Sequence, residues 1–415
     1  MADFQEYLKP GMRGHLIGIG GVSMAPLAEV LAGMGLVIDG SDMTESEKTE
    51  HLRTLGIEVK IGHSAMNVAP DIQFVVRTAA VHDENPEIVE ARARGIPVFE
   101  RAEAWGAIMC DYENALCIAG THGKTTTTSM ISQILLCAAA DPTLSVGGIL
   151  DAIGGNIRVG HSDIFVTEAC EYTNSFLHFH PRYSIILDIE AEHLDFFKDI
   201  NDIRHSFHLF AKNTISDGAI IMNGQIERPE EITEGLSQEV ITYGLDPSFT
   251  YYAKDITYNE KACGRFSVYK NGEKLGEVAL SVPGEHNVYN SLAAIAVTEK
   301  MGISLEDIIH GLSIFGGAKR RFELKGKVNG ITVIDDYAHH PTEIEATLHA
   351  AKNYPHGRLI CVFQPHTYSR TKAFLKDFAK ALSLADIVVL ADIYAAREKN
   401  TIGISSTAIL DELKA

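Results

Sequence analysis

The 415-residue sequence lacks the features that mark membrane-spanning, secreted and disulfide-stabilised proteins. It has no run of about eighteen uncharged apolar residues, which a membrane-spanning helix needs. Its first residues contain no basic segment followed by an apolar core and a cleavage site, so we expect no secretory signal. The six cysteines form no Cys-x-x-Cys pair, and we expect reduced thiols in a cytoplasmic protein instead of disulfides or a zinc site.

Basic residues are also scarce. Lysine and arginine total 36 against 55 aspartates and glutamates, which gives a formal net charge of −19. A nucleic acid is therefore not expected as the main partner, because its phosphate backbone requires a basic surface. A small anionic ligand is compatible with this charge, since helix N-termini and a few local basic side chains can bind phosphate. The length predicts two or three domains.

Apolar strand-like segments alternate with helical patterns along most of the chain. This alternation predicts an α/β fold in which helices cover both faces of parallel sheets. The pattern restarts at the strand before Gly120 and again near Gly316, where the strand-like segments ITVIDD, RLICVF and DIVVLAD follow. We place boundaries near residues 105 and 318. The predicted domains are residues 1–105, 106–318 and 319–415.

A glycine loop (residues 18–23) lies between the first strand and the first helix. Its sequence, GIGGVS, contributes Gly18, Gly20, Gly21 and Ser23. The dinucleotide-binding pattern G-x-G-x-x-G would need glycine at Ser23, so that match is incomplete. The glycines still predict close approach of the backbone to a diphosphate at the helix start. Asp39 and Asp42 lie where an acidic side chain would meet a ribose hydroxyl. The alternative is a turn that serves only strand–helix packing.

A second loop (residues 120–126, the lysine loop) also joins a strand to a helix. It contains Gly120, Thr121, His122, Gly123, Lys124, Thr125 and Thr126. The Walker A pattern would require glycine at Ile118, so this is a shortened version. We expect Lys124 to reach the β and γ phosphates of ATP and the Thr125 hydroxyl to bind Mg²⁺. The alternative is a chance Gly-Lys-Thr in a surface loop.

Polar residues follow two further strands. Glu168 comes directly after one, and His193 and Asp195 come after another. Each has a simpler interpretation as a surface side chain beyond a strand. Because both strand ends are expected beside the lysine loop, they predict ligands for magnesium.

Two clusters follow strands in the last third, DDYAHHPTE (335–343) and FQPHTYSRT (363–371). Ligands bind at the carboxyl ends of strands in parallel sheets, so His339 and Arg370 are expected near a carboxylate or a phosphoryl group. Adjacent residues such as His339 and His340 chelate a metal poorly, and no third ligand is spaced for them. Arg321 in KRRFE lies at the second boundary, where it could reach a nucleotide or be a solvated charge.

Together these stretches resemble the Mur ligase family. The matching segments, in the family's order, are GIGGVSM, GTHGKTTTT, EACEYTNSFL, IEAEHLD, GEHNVYNSLAA, KRRFE, DDYAHHPTE and FQPHTYSRT. The resemblance implies three domains: an N-terminal Rossmann-like domain for a UDP-sugar, a central ATPase and a C-terminal Rossmann-like domain for an amino acid. It also implies ATP and Mg²⁺ as cofactors and an acyl phosphate on the carboxylate substrate. The implied substrates are UDP-N-acetylmuramate and L-alanine.

The resemblance implies roles residue by residue. Lys124, His193, His339 and Arg370 would act in catalysis, and Thr125, Glu168 and His193 would hold magnesium. The nucleotide would meet Gly120 through Thr126, together with Asn287, Asn290, Arg321 and Asp335. The other substrates would meet Gly18, Gly20, Gly21, Ser23, Asp42, Ser175, Tyr337, His339 and Arg370.

This sequence also departs from the family pattern. Asp188 stands where the family usually has asparagine, and Glu192 where it has aspartate. The segment DIRHSFHLF lacks the lysine that several relatives modify, so no carbamylated lysine is expected. Because the family continues beyond the last residue here, the last domain is expected to be incomplete.

Three other functions stay open at this stage. A sibling ligase would attach a peptide or another amino acid. An NAD-dependent oxidoreductase would use the glycine loop but leave Lys124 without a role. A non-catalytic nucleotide-binding regulator would need neither Tyr337 nor His339.

Overall fold

The computed structural model describes residues 3–78, 80–194, 196–396 and 398–414. Asp195, one of the residues considered for the magnesium site, lies outside these ranges. The described residues form an α/β structure with sheets in three successive parts of the chain, which we call the N-terminal (3–113), central (114–318) and C-terminal (319–414) regions. None of the helices formed by the described residues has both the length and the apolar character that a bilayer crossing requires.

The N-terminal region is a five-stranded parallel sheet in the order β3-β2-β1-β4-β5. The strands are β1 Arg13–Ile17, β2 Val37–Asp42, β3 Glu58–Ile61, β4 Phe74–Arg77 and β5 Val98–Glu100. The helices are α1 Met24–Gly33, α2 Glu47–Thr54, α3 Pro86–Ala93 and α4 Arg101–Met109. Because β1 is the central strand, the glycine loop that follows it lies at the middle of the carboxyl edge of the sheet.

The central region contains a ten-stranded sheet in the order β15-β14-β13-β12-β11-β10-β6-β9-β7-β8. Its strands are β6 Asn114–Ala119, β7 Thr143–Leu150, β8 Gly155–Arg158, β9 Ile164–Glu168, β10 Tyr183–Ile186, β11 Ala219–Asn223, β12 Glu239–Gly244, β13 Tyr251–Tyr258, β14 Cys263–Lys270 and β15 Glu273–Pro283. Its helices are α5 Lys124–Cys137, α6 Ile200–Lys212, α7 Glu230–Thr233, α8 His286–Lys300 and α9 Leu305–Ile314.

The parallel part of this sheet places the ends of three strands side by side. Strand β6 lies between β9 and β10, and the register aligns Ile118 with Glu168 and Ala119 with Ile186. The lysine loop after β6 is therefore flanked by the segments that carry Glu168 and, beyond Ile186, Asp188 to His193. The strand ends predicted to meet at one edge do meet there.

One apolar core continues from the N-terminal region into the central region. Helix α4 packs against the central sheet, and the Trp105 ring stacks on Phe165 with centroids 5.6 Å apart. Gly106 permits this approach, since a Cβ there would lie 2.1 Å from the carbonyl oxygen of His178. The two regions are thus joined by buried contacts as well as by the chain.

The C-terminal region has strands where the sequence predicted them, distributed over two two-stranded sheets. Strands β16 Glu323–Val328 and β17 Ile331–Asp335 form a hairpin, and β18 Ile360–Phe363 pairs in parallel with β19 Ile387–Leu390. The helices are α10 Pro341–Lys352, α11 Tyr368–Ala373, α12 Leu375–Leu382 and α13 Thr407–Lys414. Helices cover one face of the β18–β19 pair, while Val362 on the other face is 73% exposed.

Candidate functional site

The lysine loop wraps its backbone around the Lys124 ammonium group. Gly120 and Gly123 have φ of 144° and 81°, a conformation that favours glycine. A Cβ at Gly123 would also lie 2.6 Å from Oδ1 of Asn290. Lys124 Nζ donates to the carbonyl oxygens of Gly120 and of Thr121. The loop therefore needs both glycines, and Lys124 begins helix α5 with its charge inside the turn.

Lys124 is held by Glu171, a residue that the sequence reasoning did not assign. Its Nζ lies 3.1 Å from Oε2 of Glu171, and the Glu171 side chain is 3% exposed. Burial disfavours the ammonium charge, but Glu171 outweighs it and raises the pKa of Lys124. Glu171 Oε1 also lies 3.7 Å from Nε2 of His193. Lys124 is thus held as a cation at the start of α5.

The three predicted magnesium ligands in the described residues lie around the start of α5. Glu168 accepts a hydrogen bond from the backbone N–H of Gly147 at 2.5 Å and one from the Thr125 side chain. Burial raises the pKa of Glu168 and lowers the pKa of His193, which favours a neutral imidazole. A hydroxyl, a carboxylate and an unprotonated ring nitrogen are donors suited to a divalent cation.

The C-terminal region closes the other side of the cleft through Arg370. Its Nε and Nη2 donate to Oε1 of Glu192 at 3.1 and 2.9 Å, and its Nη1 lies 2.9 Å from Nδ1 of His366. Burial opposes ionisation of Glu192, but the guanidinium outweighs it and lowers the pKa of Glu192 to about 2. The arginine predicted to bind alanine is therefore already engaged with a carboxylate of the central region.

His122 forms a second link between these regions. Its Nε2 lies 3.3 Å from Oε2 of Glu190, and its Nδ1 lies 3.2 Å from Oε1 of Glu343. Burial opposes a charge on this ring, but the two carboxylates raise the pKa of His122 to about 10. Sequence spacing indicated no third donor near His339 and His340. The fold instead brings His122 and Glu190 to His340, with one potential ligand atom from each within 4.8 Å of the others.

The resulting cleft has a volume of about 210 Å³. Predicted residues that line it are Thr121, His122, Gly123, Lys124, Thr125, Glu168, His193, Arg321, His339 and Arg370. Cys170, Glu192 and Glu343 also line it and were not assigned from sequence. Two glutamates could have been noted in the sequence: Glu171, three residues after Glu168, and Glu343, three residues after His340. No local pattern shows which way either side chain faces.

Other predicted residues lie outside this cleft. Asn287 and Asn290 are buried below it, where Nδ2 of Asn290 donates to Oδ1 of Asn287. Asp335 lies 3.9 Å from Nε of Arg320, and the Tyr337 ring lies under the Arg320 guanidinium at 4.6 Å. Gly120 and Thr126 shape the loop and helix start without lining the cleft, and Ser175 shares a 3.1 Å hydroxyl contact with Thr173.

The glycine loop of the N-terminal region is a separate feature. Asp42 shapes it, since its Oδ2 accepts from the Gly20 N–H at 2.9 Å and its Oδ1 from the Thr44 N–H at 3.3 Å. Gly18 has φ of 78°, and a Cβ at Gly21 would lie 3.1 Å from the Gly18 carbonyl oxygen. Ser23 precedes helix α1 without a side-chain capping bond.

Two further contacts define the surroundings of this loop. Nδ2 of Asn156 in β8 donates to the Val22 carbonyl, so the loop faces the central region. The expectation that Asp39 meets a ribose is wrong, because this residue is 5% exposed and its Oδ1 lies 2.5 Å from Nδ1 of His15.

The lysine loop shares its cleft with Glu168, His193 and two arginines of the C-terminal region, an arrangement typical of nucleotide-dependent group transfer. Family models match most of the chain: the Mur ligase family catalytic domain over residues 13–113, the Mur ligase middle domain over 118–298, and the Mur ligase glutamate ligase domain over 320–415. The chain belongs to the Mur ligase family, which confirms the resemblance.

Several relatives are similar over nearly the whole chain. The UDP-N-acetylmuramate–L-alanine ligase of Agathobacter rectalis is 62% identical over 98% of this chain and 89% of its own length. The crystal structure of UDP-N-acetylmuramate-alanine ligase from Thermotoga maritima matches with a TM-score of 0.81 and 33% identity, covering 97% of this chain and 88% of that one. A murein peptide ligase from Psychrobacter arcticus matches with a TM-score of 0.74 and 28% identity, covering 92% and 84%.

Proposed function

We propose that this protein joins L-alanine to the lactyl carboxylate of UDP-N-acetylmuramate at the expense of ATP, as an ADP-forming ligase of peptidoglycan precursor synthesis. One observation carries the proposal. The lysine loop and the Glu168 and His193 side chains share a cleft with Arg321, His339 and Arg370. Such a cleft can hold a triphosphate and a carboxylate together. The names of the relatives support the choice of these substrates.

The chemistry explains why both groups are needed. A carboxylate is a poor electrophile, and its oxygen becomes a leaving group only after it has been phosphorylated. In the first step a carboxylate oxygen attacks the γ phosphorus of ATP, and the bond to ADP breaks. In the second step the alanine amine attacks the acyl carbon, and the carbon–oxygen bond to phosphate breaks. The amine's proton leaves with that step.

Lys124 has the main electrostatic role in this scheme. Both reactants of the first step are anionic, so their approach is opposed until cations offset the charge. The Lys124 ammonium group is fixed by Glu171 and by loop carbonyls, so it is preorganised to offset this charge. When bound, Mg²⁺ would add positive charge at the phosphates. Thr125, Glu168 and His193 are the residues that would hold it.

The amine half-reaction is assigned to the C-terminal side of the cleft. Arg370 and His339 line it there, and a guanidinium can bind a carboxylate with two parallel hydrogen bonds. Because Nε and Nη2 of Arg370 already donate to Glu192, alanine binding requires Arg370 to share or exchange that partner. Asn287, Asn290, Asp335 and Tyr337 lie around this cleft, and we assign them to nucleotide and amino-acid binding as supporting residues.

The UDP-sugar is assigned to the glycine loop. The close turn at Gly18, Gly20 and Gly21 lets a ligand approach the start of helix α1, whose positive end suits a diphosphate. The N–H groups of these three glycines themselves donate to Ser41, Asp42 and Gly18. Ser23 and Asp42 shape this loop, and Ser175 lies on the central segment after Glu168. In this scheme the first boundary lies near residue 105, between the strand that ends at Glu100 and the strand that begins at Asn114. The second lies near residue 318, between the strand that ends at Pro283 and the hairpin that begins at Glu323. A cytoplasmic location agrees with six free cysteines.

A sibling amide ligase is the second candidate, because the murein peptide ligase structure is also similar to this chain. The deciding experiment measures ADP release by the purified protein with ATP, Mg²⁺ and UDP-N-acetylmuramate while the amine is varied. We expect the highest kcat/KM with L-alanine, lower values with glycine and L-serine, and little with a peptide. A higher kcat/KM with the tripeptide L-alanyl-γ-D-glutamyl-meso-diaminopimelate would replace the alanine assignment with the sibling one.

A further inference from the structure

We propose that His122, Glu190 and His340 form a binding site for one Zn²⁺ ion, distinct from the magnesium site at the triphosphate. His122 and Glu190 belong to the central region, and His340 precedes helix α10 in the C-terminal region. An ion bound there would join the lysine loop directly to the C-terminal region. The site itself does not depend on the ligase function.

The distances suit a small ion. Nε2 of His122 lies 3.3 Å from Oε2 of Glu190, and Nδ1 of His340 lies 3.9 Å from the same oxygen. All three donor atoms lie within 4.8 Å of one another. Bonds of about 2.0–2.2 Å to a tetrahedral ion place donor atoms roughly 3–4 Å apart, so only small side-chain movements are needed.

The surrounding contacts orient the donors of His122 and Glu190. Oε1 of Glu343 lies 3.2 Å from Nδ1 of His122, which directs the opposite ring nitrogen toward Glu190. The Thr342 hydroxyl donates to Oε2 of Glu190 at 2.8 Å. Carboxylates and hydroxyls behind the ligands are the usual outer contacts of a bound zinc ion. The His340 ring is buried, and its side chain caps helix α10, with Nδ1 accepting from the Thr342 N–H at 3.4 Å, a long contact that an ion at Nδ1 would replace.

The donor set selects the metal. Two imidazoles and one carboxylate suit Zn²⁺, whereas Mg²⁺ prefers oxygen ligands and retains water. The residues proposed above for magnesium are separate, and two of those three, Thr125 and Glu168, would offer oxygen. The zinc ion would take the place of the proton between His122 and Glu190, and that proton would pass to solvent. Zinc binding does not require any cysteine.

Zinc at this position also has a consequence for activity, which rests on the proposed function. Ligases of this kind must open to exchange substrates and close to exclude water. An ion holding His122 to His340 would restrict that motion. We therefore expect Zn²⁺ to inhibit ligation at concentrations that do not displace Mg²⁺.

The test measures Zn²⁺ binding by competition with a chromophoric chelator, with excess Mg²⁺ and no nucleotide or substrate. The variants are His340→Asn, which keeps a helix-capping side chain, and Glu190→Gln, which keeps an oxygen acceptor for Thr342. The matched control is His339→Gln, a histidine on the same loop outside the three-residue set. Circular dichroism and thermal melting establish that each variant is folded.

We expect the unmodified protein and His339→Gln to bind one more Zn²⁺ than His340→Asn, or to bind it at least tenfold more tightly. Glu190→Gln should show the same loss, and it decides the matter alone if His340→Asn does not fold. Co²⁺ bound in place of Zn²⁺ should show no thiolate charge-transfer band. Equal stoichiometry and affinity in all four proteins would overturn the proposal, as would a thiolate band on the ion that the variants lose.

Discussion

Two loops in this protein have similar backbone settings but different surroundings. The glycine loop and the lysine loop each follow an interior parallel strand of their sheet and precede a helix. In each, an aspartate accepts a hydrogen bond from a loop N–H: Asp42 from Gly20 and Asp188 from His122, at 2.9 and 2.8 Å. Backbone geometry alone therefore does not distinguish them.

The difference lies in the charged side chains. The lysine loop contains a buried ammonium group, and Glu168, His193, Arg321 and Arg370 line the same cleft. The glycine loop is shaped by Asp42 and faces Asn156 of the central region. A diphosphate that only has to be bound can be held by backbone N–H groups. A phosphoryl group that has to be transferred needs fixed charges around it.

Replacing Lys124 should separate the two loops most clearly. We expect Lys124→Ala to lower kcat for ADP release by about 10²–10³-fold, the usual loss when one preorganised charge is removed from a transition state. UDP-sugar affinity, measured by calorimetry, should stay within about twofold because the sugar is assigned to the glycine loop. Lys325→Ala, at an exposed lysine of the β16–β17 hairpin, is the control. A parallel loss of UDP-sugar binding would contradict the separation of the sites.

Arg370→Lys tests the amino-acid side of the cleft. Lysine keeps the charge but cannot make two parallel hydrogen bonds, so about 1.5–3 kcal/mol should be lost. We expect the KM for alanine to rise roughly ten- to a hundredfold, with much smaller changes for ATP and UDP-sugar. Steady-state kinetics with each substrate varied in turn measures this. Glu192→Gln serves as a companion variant. If Arg370 only pairs with Glu192, both substitutions will affect all three KM values alike.

Glu168→Gln should raise the Mg²⁺ concentration needed for half-maximal activity by about tenfold, because an anionic oxygen ligand is lost while the volume is kept. Gly147 can still donate to the amide oxygen of glutamine, so the fold should persist. A magnesium titration of initial rates at saturating substrates is the measurement. An unchanged requirement would remove Glu168 from the ligand set.

The smallest expected effect is on stability, and it comes from replacing the two aspartates that accept from the loops, Asp188 and Asp42. Burial raises the pKa of Asp188 to about 6 from a usual value of 3.8, so ionisation costs the folded state stability as pH rises through that interval. Asp188→Asn avoids this cost. Its advantage should be absent below pH 3.8, grow up to pH 6 and remain at about 1–3 kcal/mol above it.

Thermal melting across this pH range measures the advantage, with Asp42→Asn as the matched change at the glycine loop. Asp42 is partly exposed, and Asn keeps its acceptor for the Gly20 N–H, so this variant should shift stability by less than about 0.5 kcal/mol. A pH-independent difference between Asp188→Asn and the unmodified protein would show that burial of the charge is not the cause.

Much of the fold and the centre of the site followed from local sequence. Strand–helix alternation places the carboxyl ends of parallel strands at one edge, so Lys124, Glu168 and His193 could be expected together. The family-level prediction was also correct, because motifs from the whole chain agreed in order.

The rest depended on contacts that no local pattern contains. Glu343 reaches His122 from 221 positions away, and Arg370 reaches Glu192 from 178. Asp39 was misassigned because spacing does not show which neighbour a strand residue faces. The parallel register puts Asp39 directly beside His15, and the Asp39 carboxylate pairs with the His15 ring. Such partners are set by long-range packing.

The most direct test of the proposed reaction follows an oxygen atom. UDP-N-acetylmuramate labelled with ¹⁸O in its carboxylate is incubated with the protein, ATP, Mg²⁺ and L-alanine, and the released phosphate is analysed by mass spectrometry. We predict one ¹⁸O atom in each phosphate, formed in step with the alanine product and about 10²–10³-fold more slowly with Lys124→Ala. Unlabelled phosphate, or ADP release at an equal rate without the UDP-sugar, would contradict it.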